Sequence, residues 1–242
     1  MFDFNYLLRG FSMIMKPGLK RYVIIPLLIS IIIFSLAGWI GFVQFENFMN
    51  SMMVQFDLPG WLSWLNVVIE WILWPIFFIT FLALVFYSYT IVANLIAAPF
   101  NGKLAEAVAR KLDSQAAFPD SEPLIKDVTK SIFSELRKLL YYLIRALPLL
   151  ILMLFPLTSA VASIVWLMFS AWFLALEYVA YPLENQKLLF KEQRQTLGKN
   201  KLSAMSFGAG VTVLLLIPVL NLAAMPAAVA GATIYWHEKL KQ

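Results

Sequence analysis

The chain has no cysteine. That excludes a disulfide framework, a thiolate metal site and a thiol nucleophile. It has a single histidine, His237, which has no Cys partners and reads as an interfacial residue rather than a ligand or general base. Charge is scarce: only 14% of residues are Asp, Glu, Lys or Arg, against 61% hydrophobic. Four stretches, 22–45, 71–102, 146–176 and 202–236, contain no Asp, Glu, Lys, Arg or His at all. A soluble domain neither exposes nor buries uncharged runs of this length, so the chain is expected to be an integral membrane protein. The first apolar run is too long for a signal-peptide core and lacks a small-residue exit, so no cleaved leader is expected.

Residues 46–70 hold Glu46, Asp57 and Glu70 and no Lys or Arg. The cations gather elsewhere: near 1–21, across 103–145, across 177–201 and at Lys239 and Lys241. Cytoplasmic loops carry the excess of Lys and Arg, which places those segments inside and 46–70 outside. A helix needs roughly 20 apolar residues to cross a ~30 Å core. The runs at 22–45 and 71–102 fit one crossing each. The two later runs are long for one crossing and short for two. A single crossing at 146–176 strands the basic 177–201 loop outside, whereas a segment that enters and returns keeps every Lys and Arg on one side. Breakers sit at plausible tips, Phe155-Pro156-Leu157-Thr158-Ser159 and Ile217-Pro218-Val219-Leu220-Asn221. Two arms of ~14 residues reach about 21 Å each. Irregular backbone at that depth must be buried in protein or wetted by a cavity, so an oligomer, a water-filled passage or both are expected. The alternative is an ordinary pair of kinked crossings.

The expected fold is therefore an all-α integral membrane protein forming one domain, 1–242. Two full transmembrane helices are placed at 18–45 and 71–110, and two partly inserted, re-entrant helical hairpins at 146–176 and 202–236. An interfacial helix covers 1–17 and an amphipathic helix 124–145. In the first, Phe4, Leu7, Leu8, Phe11, Ile14 and Met15 share one face, opposite Asp3, Asn5, Arg9, Ser12 and Lys16. Such a helix lies in the interface plane or docks on protein. Turns are expected at Pro17-Gly18, at Leu58-Pro59-Gly60 and within 117–123.

Two constellations can carry chemistry. In Pro17-Gly18-Leu19-Lys20-Arg21, glycine permits a tight turn, the following helix start presents N–H groups and a positive dipole end, and two cations add charge. That set suits a tetrahedral oxyanion, although basic residues flanking a crossing also serve as topology signals and lipid contacts. The second set is Asn94, Asn101, Glu106 and Arg110, at the polar end of the second crossing. Glu106 and Arg110 share a face at i, i+4 and form either a solvated ion pair or a polar constriction on a permeation path. Lys111 lies on another helical face, so its loss is expected to lower flux less than the loss of Arg110. Gly102-Lys103-Leu104 and Gly198-Lys199-Asn200 are not P-loops, Gly208-Ala209-Gly210 follows no strand, and no serine has a His/Asp companion set. Enzymatic activity, cofactors, metals, ATP coupling and nucleic-acid partners are not expected.

Lys16-Pro17-Gly18-Leu19-Lys20-Arg21 with Ile24-Ile25-Pro26-Leu27 resembles the CysZ family of bacterial inner-membrane sulfate permeases. The likeness continues at Asn94-Leu95-Ile96-Ala97-Ala98-Pro99-Phe100-Asn101, at Leu104-Ala105-Glu106, at Glu177-Tyr178 with Tyr181-Pro182, Asn185, Phe190 and Arg194, at Phe207-Gly208 and at 232–236. The resemblance implies sulfate uptake for cysteine synthesis and a fold of two crossings plus partly inserted hairpins. It also implies a sulfate site at Gly18, Leu19, Lys20 and Arg21, and dimeric or larger homo-oligomers, some with opposed protomers. The one-sided charge argues against easy inversion. Lys20 stands where arginine is typical, keeping charge but losing the bidentate fork. Ala180 stands where an acidic residue is expected. A second function from another class is a non-transporting membrane scaffold that binds anionic lipid through Lys20, Arg21 and the basic loops.

Overall fold

Long uncharged runs become long helices because, away from water, a helix alone satisfies its own backbone. The computed structural model describes residues 4–55, 60–62, 64–118 and 124–241, and every regular element among them is helical. The chain falls into two compact units, residues 24–99 and residues 1–23 together with 100–242.

The first unit is an antiparallel pair. Helix α2 (Arg21–Gln55) and helix α3 (Trp64–Leu112) run past the ends expected from charge alone. Glu46 and Glu70 are good helix formers and do not stop a helix. The two helices meet through an aromatic ladder: Phe45 stacks on Phe77 with centroids 3.9 Å apart, Trp74 packs edge-on to Phe45 at 4.9 Å, and Gly41 lies against Phe81. Pro26 sits inside α2, and Ser30 Oγ donates to its carbonyl at 2.9 Å. Leu58 and Pro59 of the expected turn lie outside the described residues; a 3-10 turn, Gly60–Leu62, leads into α3.

The larger unit begins with α1 (Asn5–Ile14). This helix docks on protein. Leu7, Met13 and Ile14 are buried, and Gly10 lies against the backbone of Ala227 and Gly231 on α8 (Pro218–Tyr235). Leu8 and Met15 remain exposed. The two small residues explain the outcome over an isolated interfacial helix: they let the backbones approach too closely for a side chain. Helix α4 (Leu124–Met153) joins the expected amphipathic helix to the first hairpin arm without a break, and α5 (Pro156–Glu184) returns. The break expected within 117–123 falls mostly outside the described residues. Then come α6 (Phe190–Gly198), α7 (Lys201–Leu215) and α8, with a π-helical turn, Trp236–Leu240, at the end.

Both later segments are antiparallel helical hairpins. Lys138 pairs with Glu177 at 3.1 Å, and further along Tyr142 stacks on Phe169 and packs at a tilt against Phe173. Ser203 and Tyr235 join the feet of α7 and α8 at 2.9 Å. The tips lie at Leu154-Phe155 and Leu216-Ile217, one or two residues earlier than the breakers suggested, because Pro156 and Pro218 each open a helix as its first residue. Proline suits that position, where its missing N–H has no partner to lose. The arms of the first hairpin are thus unequal. Its uncharged return, 156–176, is about 30 Å long rather than 21 Å, and α5 joins α2 and the 60–85 segment as a third helix of crossing length and composition. The tip is apolar and exposed, Leu154 at 80% and Leu157 at 97%.

Gly208 faces the carbonyl of Ala171 on α5 at a distance that no Cβ tolerates. Gly208→Val should destabilise the purified protein by about 1–3 kcal/mol. Gly102→Ala, where a Cβ meets open space inside α3, should be neutral or stabilising by up to about 1 kcal/mol. Thermal unfolding in detergent measures both; equal midpoints would remove the close α5–α7 contact.

Candidate functional site: a basic turn at the polar end of the larger unit

The segment after α1 turns because Gly18 adopts φ 84°, a left-handed conformation that glycine enters without strain. Leu19, next to it, is 1% exposed and anchors the turn in the core, which leaves Lys20 and Arg21 exposed at the start of α2. The Leu19 amide is engaged by the carbonyl of Lys16 at 3.2 Å. It is therefore not one of the anion-facing donors expected there. Among the described backbone hydrogen bonds, none uses the amides of Gly18, Lys20 or Arg21. Arg21 folds onto Tyr22, with Nη2 donating to its hydroxyl at 3.0 Å and the guanidinium 4.9 Å from the ring centroid.

Lys111, on another face of α3 from Arg110, reaches the basic turn. Its Nζ donates to the Pro17 carbonyl at 2.9 Å, across 94 positions of sequence, and so brings a third cation beside the turn. Nothing local in the sequence marks this contact. Glu106 and Arg110 do form their pair, at 2.8 and 3.1 Å to one carboxylate oxygen, with both side chains exposed and Arg110 over the ring of Phe118. Asn101 is separate from that pair. It is 2% exposed, and its Nδ2 lies near the Tyr181 hydroxyl without forming a well-aligned hydrogen bond. The side chain of Asn94 lies outside the described residues.

The segments carrying the family resemblance meet here. Asn185 Nδ2 donates to the Gly102 carbonyl at 3.0 Å, and Gln186 approaches the Ala117 carbonyl. A small open cleft lies between Ala105, Pro182, Asn185, Thr233, Trp236 and His237. His237 Nε2 stands 3.8 Å from Asp113 and makes no hydrogen bond. Arg9 clamps the C-terminal turn through a bidentate pair with Glu238. The polar ends of α1, α3, α5 and α8 therefore collect at one end of this unit, with the hairpin tips at the other. Among the described residues no cluster of His, Asp and Glu could hold a metal.

Residues 6–226 match the family described as Sulfate transporter CysZ/Etoposide-induced protein 2.4. The chain belongs to this family. Three relatives illustrate the likeness. "Sulfate transporter CysZ" of Pectobacterium atrosepticum is 41% identical across 98% of this chain and 85% of its own length. The proteins of the same name from Pseudomonas fluorescens (41%, covering 96% and 91%) and Pseudomonas syringae pv. tomato (42%, covering 96% and 90%) are as similar. The family description and all three relatives' names carry the words sulfate transporter.

Arg9, hydrogen-bonded to the Glu238 carboxylate, holds it below its ordinary pKa, and the same bond raises the Arg9 pKa. The carboxylate's contribution to stability is full above the unfolded-state pKa of about 4.3 and is lost as pH falls through the lower folded value. Arginine's own titration lies far above the working range. Both groups are well exposed, so the pair contributes on the order of 1 kcal/mol or less. Glu238→Gln should unfold slightly earlier than the parent at pH 7, and the gap should close below about pH 4. A gap that does not narrow as pH falls would show that Glu238 acts through packing instead.

Proposed function

We propose that the protein is a sulfate permease of the bacterial inner membrane, importing sulfate for cysteine synthesis without ATP. The observation that carries this is the Gly18 turn. It presents Lys20 and Arg21 beside Lys111 on a buried anchor, in a chain whose relatives are named sulfate transporters. Sulfate is held there by the two exposed cations and by the amides of Gly18, Lys20 and Arg21, at the positive end of α2. Lys111 is assigned the role of positioning the turn. In this reading Gly18 and Leu19 shape the site, and Leu19 contributes its buried side chain, not its N–H.

Asn101, Glu106 and Arg110 line the route onward. Polar side chains at membrane depth are costly unless they meet water or one another. The Nδ2 of buried Asn101, near the Tyr181 hydroxyl but without a well-aligned hydrogen bond, is a donor an entering anion would find. Arg110 offers it a cation and Glu106 tempers that cation. The hairpins enter and leave from the cytoplasmic side, their exposed apolar tips resting in hydrocarbon. A homo-oligomer, dimer or larger, encloses the route.

Energetics limits the mode of uptake. Moving a dianion into a negative cell at 100 mV costs about 4.6 kcal/mol, twice the ~2.3 kcal/mol per charge. Entry therefore depends on intracellular consumption of sulfate, a large external excess, or a proton carried with it. Glu106 is the acid placed to carry one.

Purified protein in liposomes should conduct radiolabelled sulfate. Lys20→Ala with Arg21→Ala should weaken sulfate binding by about 3 kcal/mol or more, over a hundredfold, because each charge-assisted bond contributes roughly 1.5–3 kcal/mol. Lys111→Ala should weaken it less, by loosening the turn. Arg110→Ala should lower flux with binding at the turn kept. Folded double variant with unchanged sulfate affinity would move the site elsewhere.

A further inference from the structure

A second cationic site stands apart from the basic turn, and nothing in the proposed permeation route uses it. Tyr141 on α4 is the centre. Its hydroxyl accepts a hydrogen bond from Trp172 Nε1 on α5 at 2.9 Å, and Phe190 packs edge-on at 5.4 Å, so the ring is held from two sides. Two guanidinium groups converge on it. Arg145, one turn further along α4, lies 3.8 Å from the ring centroid, and Arg194, from α6, lies 5.5 Å from it. Both arginines are exposed, and among the described residues neither meets a carboxylate. The positions one turn away offer none either: residues 141, 142, 148 and 149 around Arg145, and 190, 191, 197 and 198 around Arg194, contain no Asp or Glu. The neighbouring cation Lys138 is matched by Glu177. Two like charges on one ring, uncompensated among the described residues, call for an anion.

The position says more. Arg145 is the last charge before the uncharged run of 146–176. Its Nη1 reaches back to the Tyr141 carbonyl at 3.3 Å, so the guanidinium turns away from the apolar tip, as cations at the edge of hydrocarbon do. Beyond it α4 exposes Leu147, Leu150, Ile151 and Leu152, a surface for acyl chains. Trp172 and Tyr141 supply the aromatic pair typical of the bilayer interface.

We infer that Arg145 and Arg194, braced on Tyr141, form a binding site for a tetrahedral oxyanion of the phosphate type. Planar guanidinium forks match such an anion better than ammonium groups do. A phospholipid phosphate fits the depth and the apolar surface below; a free phosphate or sulfate ion shares the same chemistry. The inference does not rest on the sulfate site at Gly18.

The full chain, purified in detergent, is titrated with phosphatidylglycerol, phosphatidylcholine, inorganic phosphate and sulfate, and bound species are counted by native mass spectrometry. Phosphatidylglycerol held tenfold more tightly by the parent than by Arg145→Gln with Arg194→Gln establishes the site with a lipid phosphate. The same loss seen for inorganic phosphate or sulfate, without a preference for phosphatidylglycerol, establishes it with a free ion. Arg137→Gln, which removes an α4 arginine resting on Phe133 instead, should bind like the parent. Should the double variant fail to fold, Arg194→Gln alone should still weaken binding at least threefold, and Arg194→Lys by less. Equal binding by parent and variants, or an equal loss in Arg137→Gln, overturns the assignment.

Discussion

Hydrocarbon offers no hydrogen bonds, and the rest of the structure depends on that. Every polar group that lies in it must be satisfied by the chain itself. The helices do this for the backbone, and several hydroxyls in the apolar segments bond back to their own helix: Ser163 to Ser159, Thr212 to Gly208 and Thr233 to Val229. The hairpin tip is the harder case, because two helix ends meet there. Thr158 Oγ1 donates to the Leu152 carbonyl at 2.6 Å, and the amides of Thr158 and Ser159 return to the carbonyl of Phe155. Proline as the first residue of α5 and α8 removes a donor that would otherwise be orphaned. The tips can therefore be apolar outside and satisfied within.

The same constraint shapes the packing. Apolar burial drives helices together weakly in lipid, so close contact must come from shape. Gly10 on α1, Gly208 on α7 and Gly231 on α8 supply it at the crossings with α8, α5 and α1. Around these contacts Phe207 and Tyr235 stack with centroids 5.7 Å apart, and Tyr6 leans on Tyr235 at 5.2 Å. This docking brings the polar helix ends together, and with them the turn at Gly18, the Lys111 clamp and the open cleft. The basic turn is therefore a consequence of how α1 and the end of α3 are held.

Much of this was legible in the sequence, for physical reasons that differ by element. The uncharged runs announced the helices because charge is expensive in lipid and nothing local compensates it. Gly18 announced its turn because left-handed backbone selects glycine. The hairpins were visible as runs of intermediate length broken by proline, but their register was not. A proline signals a helix start as readily as a tip, and α4 continues through the boundary expected at 145/146 and on past Pro148. The docking of α1 was one of two open outcomes, decided by Gly10 against Gly231, a pairing that no local pattern reveals. Lys111 and Arg194 were invisible for the same reason. Their partners, Pro17 and Tyr141, lie far away in sequence, and charge spacing speaks only of neighbours on one helix.

The central claim is that both hairpins leave the membrane on the side where they enter it, so that all the basic segments share one face. The chain's lack of cysteine makes that directly measurable. Single cysteines at Ser114, Lys191 and Leu157, in protein kept in the native membrane, are tested with a membrane-impermeant thiol reagent from each side. The account predicts that positions 114 and 191 label together from the cytoplasmic side alone and that position 157 labels from neither. Labelling of 191 and 114 from opposite sides would contradict it.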